Sequence, residues 1–285
     1  MNNQYIVILT CWYGPYPWYL PYFIHSCSYN HAIDFIIITD NKEPILNRPA
    51  NVKIVYKTLD EIKLLATKKL GFKVNIDYPY KLCDFKPAYG FIFSEITKGY
   101  DFWGHGDLDV VYGNIRDFMT NEILTSYDII SSRHDYITGS FCLFRNIEKI
   151  NLLFMESRDY QKVFTCPDHF CFDECNFLFE PLNNGASILD YPDNIQSITY
   201  VVKRAEQEGK LKAFFDFIII EGTPGKIKWH KGKIIYRELY ECMFYHLIKF
   251  KIDCKSQNIL KPIPDTFYFT PTKILTKNKV EISSL

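Results

Sequence analysis

A chain of 285 residues that is 47% hydrophobic can build one large α/β domain with a full core. Its 33 basic residues balance 33 acidic ones, which removes the electrostatic case for a nucleic-acid partner. Nine cysteines, an odd number without paired C-x-x-C spacing, argue against a disulfide framework or a zinc site and read as buried thiols of a reducing cytoplasm.

The start, M-N-N-Q-Y-I-V-I-L-T, has no basic region ahead of an apolar stretch and no small-residue cleavage site. No apolar run reaches bilayer length, so a cytoplasmic protein is expected. Residues 5–11, Y-I-V-I-L-T-C, predict a buried first strand, followed by the aromatic turn W-Y-G-P-Y-P-W-Y and a helix over roughly 20–29. Residues 33–39 predict a second strand closing on Asp40, and 52–56 a third. Strand, helix, strand spacing of this kind builds a parallel sheet with helices on its faces, and ligands bind at the carboxyl ends of its strands. Thr10, Trp12, Tyr13 and Asp40 fall at such ends.

A helix is expected over 59–72, with Leu59, Ile62, Leu65, Ala66 and Leu70 as its apolar stripe, then a loop over 75–80 and a long helix over 82–98. Pro87 belongs in the first turn of that helix, and Lys81, Asp84 and Lys86 at its start, where the positive dipole end attracts an anion.

Next comes Y-D-F-W-G-H-G-D-L-D-V-V-Y-G-N, residues 100–114. In an extended segment alternate side chains share a face, so Asp107 and Asp109 would point together while Leu108 packs behind. Two carboxylates so placed can grip one hard divalent cation and leave room for a phosphate oxygen. Gly104 and Gly106 would let the backbone turn and a ligand approach. The rival reading is a solvated turn, but this triplet sits in an apolar stretch where two unpaired carboxylates are costly.

Beyond it, 128–131 predicts a strand, a loop carries Arg133, His134, Asp135 and Tyr136, and 139–146 predicts another strand. An amphipathic helix follows over 147–162, and D-H-F-C-F-D-E-C-N at 168–176 begins a further helical segment. Residues 214–220 and 226–236 predict strands around a turn at Thr223, Pro224 and Gly225, and a last helix is expected over 238–249.

Residues 80–113 (Y-K-L-C-D-F-K-P-A-Y-G … F-W-G-H-G-D-L-D-V-V-Y-G) resemble the helix and D-x-D unit of GT-A glycosyltransferases, especially bacterial capsular and surface polysaccharide transferases. The segment L-T-C-W-Y-G … I-I-I-T-D-N fits the nucleotide-binding half of that fold, so the resemblance covers roughly 5–250. One departure is G-H-G, with His105, where the family carries a glycine pair before the triplet. The resemblance implies a GT-A-like (Rossmann-like) α/β fold, a mixed, mainly parallel sheet flanked by helices. Residues 1–253 would form the domain, with 1–115 the nucleotide-sugar half and 116–253 the acceptor half, and 254–285 a C-terminal tail.

It further implies a hexosyltransferase that moves a galactose- or glucose-type sugar from a UDP-sugar to a surface or capsular polysaccharide. The acceptor would be lipid-linked and met at the inner face of the membrane by peripheral contact. Mn²⁺ or Mg²⁺ would be held by Asp107, Asp109 and a late histidine, His246 being preferred over His230, with Lys249 and Lys251 on the diphosphate. Thr10, Trp12, Tyr13, Asp40, Lys81, Asp84, Lys86 and Asp107 would contact the donor. Asp173 and Glu174 are candidates for a general base or a sugar-orienting carboxylate, against the alternative of a helix N-terminal pair. His134, Asp135 and Tyr136 would line the acceptor side.

A nucleotidyltransferase built on the same acidic triplet needs an upstream Gly-Ser turn, which F-S-E-I-T-K-G at 93–99 does not offer. A dehalogenase-like phosphatase would want threonine where Val111 stands, and no G-x-S-x-G hydrolase elbow occurs. The non-enzyme alternative is a carbohydrate-binding or scaffold protein of the same fold.

Overall fold

The computed structural model describes residues 4–254 and 259–276. Its strands begin with β1 (Ile6–Cys11), β2 (Ile33–Thr39), β3 (Val52–Tyr56) and β4 (Phe102–Gly106), and β5 (Val110–Tyr112) follows the acidic triplet. Then come β6 (Ile129–Ser131), β7 (Phe141–Arg145), β8 (Ala213–Phe215) and β9 (Ile219–Ile220). The last are β10 (Ile227–His230), β11 (Lys233–Tyr236), β12 (Tyr240–Cys242), β13 (Phe244–His246), β14 (Thr266–Phe269) and β15 (Ile274–Leu275).

Among the described residues, a seven-stranded sheet runs β3-β2-β1-β4-β7-β6-β8, with β7 alone antiparallel to its neighbours. This is the mixed, mainly parallel α/β sheet flanked by helices that the sequence predicts. Because both faces are covered, β1 reads as an unbroken apolar run, with Val7 and Leu9 in one core and Ile6 and Ile8 in the other. Helix α1 (Leu20–Cys27) closes one face through Leu20, Phe23 and Ile24. Helix α2 (Leu59–Leu70) closes the other through Ile62 and Ala66. A Thr58–Glu61 capping box starts α2, and Gly71 ends it at φ 80°, a conformation that suits glycine.

Two smaller sheets accompany it among the described residues, β5-β13-β9 and the antiparallel β12-β11-β10-β14-β15. Trp229 of β10 stacks on Phe267 of β14 with ring centroids 4.9 Å apart, and its Nε1–H donates to Tyr112 O at 2.9 Å. That contact pins the antiparallel sheet to the strand after the acidic triplet. Within the expected tail 254–285, β14 and β15 are built into this sheet, while 255–258 and 277–285 lie outside the described residues.

Several expected elements differ. The long helix over 82–98 is a series of short turns: Leu82–Phe85, a 3₁₀ turn Lys86–Ala88 with Pro87 inside it, Tyr89–Ile92 and Ser94–Thr97. Proline removes a backbone donor there, and Gly90 packs so tightly that an added Cβ would lie 2.2 Å from Trp103 Nε1. The helix over 147–162 breaks into Glu148–Asn151, a 3₁₀ turn Leu153–Glu156 and Tyr160–Thr165. Between them Ser157 Oγ donates to Gln196 O, and Asp159 accepts from Gln196 N.

The segment 168–176 is not helical, because Asp84 captures the N–H groups of Phe170 and Phe172. The expected last helix is instead β12 and β13, with only Phe250–Asp253 helical after them. Phe244 and Tyr245 face two different cores, as a strand buried on both sides demands. The hairpin lies at β10–β11 over Lys231–Gly232, not at Thr223–Gly225. Gly104 and Gly106 sit inside β4 and serve close packing rather than a turn, since a Cβ on Gly104 would lie 2.6 Å from Cys142 O.

Candidate active site

The acidic triplet occupies the point where the chain leaves β4 of the large sheet and enters β5 of the three-stranded one. It is therefore a bend rather than a strand, with Leu108 buried behind it. Strand β13 pairs with β5 so that His246 lies opposite Val110, which delivers the histidine to the triplet. Ligand atoms of Asp107, Asp109 and His246 all lie within 4.8 Å of one another. His230 is elsewhere, on β10, with Nδ1 2.7 Å from Thr266 Oγ1.

Two lysines balance the carboxylates. Lys86 Nζ donates to Asp107 Oδ1 at 2.8 Å, and Lys251 Nζ to Asp109 Oδ2 at 2.6 Å. His246 Nε2 is 3.5 Å from Asp109 Oδ2, and its Nδ1 is 3.1 Å from Glu221 Oε1. Burial opposes ionisation of Asp109, yet His246 and then Lys251 hold its carboxyl well below the usual range. Burial likewise opposes a charged His246, but Asp109 and Glu221 raise its pKa to about 10. Two carboxylates held ionised by protein counterions, with one imidazole that would give up its proton, are a convergent donor set that fits a divalent cation such as Mn²⁺ or Mg²⁺.

The trio opens into a cleft of about 490 Å³, also lined by Thr10, Trp12, Tyr13, Lys86, Asp173, Glu174 and Lys251. Across it, Lys86 Nζ stands 3.6 Å from Asp173 Oδ2. Gly139 makes this approach possible, because a Cβ there would lie 2.7 Å from Asp173 Oδ2 and 3.1 Å from Lys86 Nζ. Its N–H donates to Glu174 Oε1 at 2.6 Å, and its carbonyl accepts from Lys86. Burial pushes the Asp173 carboxyl well above its ordinary value and raises Glu174 as well.

Other candidates lie outside the cleft. Lys81 and Asp84 are fully buried and 2.8 Å apart, so their charges serve each other and the 168–176 turn rather than a ligand. Asp40 is exposed at the end of β2, and Lys249 is exposed beside Lys251; neither lines the cleft. His134 is exposed against Phe217, Asp135 is bound twice by Arg133, and Tyr136 packs in a satellite core with Leu182. Glu221, which joins His246 to Arg133, is a site residue that sequence reasoning missed. Its signal was a carboxylate closing the apolar run F-I-I-I-E.

No curated protein matches the chain. Among solved structures it is similar to the crystal structure of galactosyltransferase LgtC in complex with donor and acceptor sugar analogs, at 13% identity and a TM-score of 0.36. That match covers 56% of this chain and 66% of the other, just under two thirds of its length. A family model matches residues 8–278, nearly the whole chain, and by that match the protein belongs to the family of unknown function DUF6625.

Proposed function

We propose that the protein is a metal-dependent glycosyltransferase that moves a hexose from a UDP-sugar to a glycan acceptor. The observation that carries this reading is the convergence of Asp107, Asp109 and His246 with Lys86 and Lys251 in one cleft, at the carboxyl ends of β1 and β4. A divalent cation bound there would act as a Lewis acid on the leaving diphosphate. Lys251, which lines the cleft, would steady the diphosphate, and Trp12 and Tyr13, which line it too, would meet the nucleoside.

Asp173, which shares Lys86 with Asp107, is the better proton acceptor for the attacking hydroxyl. Burial raises the pKa of its carboxyl, which makes its ionised form a stronger base. Glu174 is fixed by the Gly139 N–H and orients the sugar. Direct deprotonation by Asp173 gives inversion at the anomeric carbon. A surface or capsular polysaccharide, lipid-linked and met in the cytoplasm by peripheral contact with the membrane, is the proposed acceptor. Among the described residues no helix is long and apolar enough to cross a membrane.

Calorimetric titration of UDP in Mn²⁺ and in EDTA, repeated on Asp109→Ala, tests the donor site. The expected result is UDP binding that needs Mn²⁺ and is lost in the variant. Binding of GDP or CMP instead would change the donor, and no nucleotide binding by the wild type would overturn the transferase.

A further inference from the structure

A second group of metal-ligating side chains lines the same cleft. His169, Cys171 and Asp173 each present one ligand atom, and these atoms lie within 4.8 Å of one another. All three come from the turn that Asp84 shapes through the Phe170 and Phe172 N–H groups. The same carboxylate faces the histidine: Asp84 Oδ1 is 3.2 Å from His169 Nδ1, off the line of a hydrogen bond. With Nδ1 turned to Asp84, Nε2 is the nitrogen left for a ligand. A carboxylate behind the far ring nitrogen is the usual support of a metal-bound histidine. Cys171 is buried, and its thiol points at Glu174 Oε2 at 3.4 Å.

We propose that His169, Cys171 and Asp173 form a second cation site, one that takes a thiophilic divalent ion of the Zn²⁺ class. Sulfur, imidazole and carboxylate together match Zn²⁺, whereas the all-oxygen preference of Mg²⁺ disfavours a sulfur ligand. When the ion enters, the Cys171 S–H bond breaks, its proton leaves to solvent, and the thiolate becomes a ligand. Asp173 is then drawn from Lys86, whose Nζ is 3.6 Å away, toward the cation. One consequence rests on the proposed function: such an ion would remove the base and inhibit transfer. The site itself stands without that reading.

Co²⁺ is the probe, titrated under reductant into the full chain carrying Asp109→Ala, which disables the other trio. The expected result is a thiolate-to-cobalt charge-transfer band that saturates at one equivalent. Zn²⁺ should displace it and Mg²⁺ should not. The band should vanish in Asp109→Ala/Cys171→Ser, and Co²⁺ should bind at least tenfold more weakly in Asp109→Ala/His169→Gln. Thermal unfolding in EDTA checks that both variants are folded, and the His169 variant carries the test if the Cys171 variant is not. No band in the Asp109→Ala protein, or a band unchanged by either further substitution, overturns the site. The UDP titration reports separately on the other trio, so the two ideas fail independently.

Discussion

On the proposed function, a cation entering the site would displace a proton from His246, which Asp109 and Glu221 hold on the ring. Its pKa is raised to about 10, so the imidazolium contributes stability fully below the ordinary histidine value and loses it as pH rises toward 10. Cation binding has the opposite sign. Between pH 7 and 9, affinity for Mn²⁺ should climb roughly tenfold per pH unit, because one proton leaves as each ion enters. Calorimetry in two buffers of different ionisation heat measures that proton directly. In His246→Asn the pH slope should flatten, and a slope unchanged by the substitution would remove His246 from the ligand set. At this scale Asp107 and Asp109 were legible because carboxylates in an apolar stretch demand an explanation. The sequence does not tell that Lys86 turns into the cleft while Lys81, five residues earlier, turns into the core. That depends on how the chain bends around Pro87.

At the scale of elements, Asp84 is the organiser of the 168–176 turn. It accepts from two backbone N–H groups, faces His169 and is paired with Lys81, and both members of that pair are fully buried. Asp84→Ala would strand Lys81 in the core and release the turn that carries Asp173 and Glu174. The expected cost is about 3–5 kcal/mol, the usual penalty for half of a buried pair, read by urea unfolding. A loss of under 1 kcal/mol would show that Lys81 finds another partner. Burial also explains which elements sequence reading recovered. Runs such as residues 6–9 in β1 are apolar on both faces and have one solution, a central strand. Short aromatic stretches such as 238–249 suit a helix or a strand equally, and only the place between β5 and β9 decides.

Across the whole molecule, the antiparallel sheet is fastened to the site by Trp229. Its ring is buried between His25, Tyr29 and Phe267, and its N–H is bound to Tyr112 O. Trp229→Ala should cost about 3–5 kcal/mol by leaving a cavity and an unpaired carbonyl. Because β5 continues from the acidic triplet, UDP–Mn²⁺ affinity should fall with it, measured well below the lowered Tm. Unaltered affinity would mean that the sheet is an appendage without influence on the cleft.

The site draws its charged groups from residues as far apart as Lys86 and Lys251, with Asp109 and His246 between them. Nothing shorter than most of the chain can assemble it. During synthesis the first large sheet can begin to form while the loop after β4 still lacks its histidine and its second lysine. The candidate trio in an emerging chain is thus incomplete until its last quarter docks. On the proposed function, ligand capture would then signal that the fold is finished, and a half-built chain would hold no donor sugar.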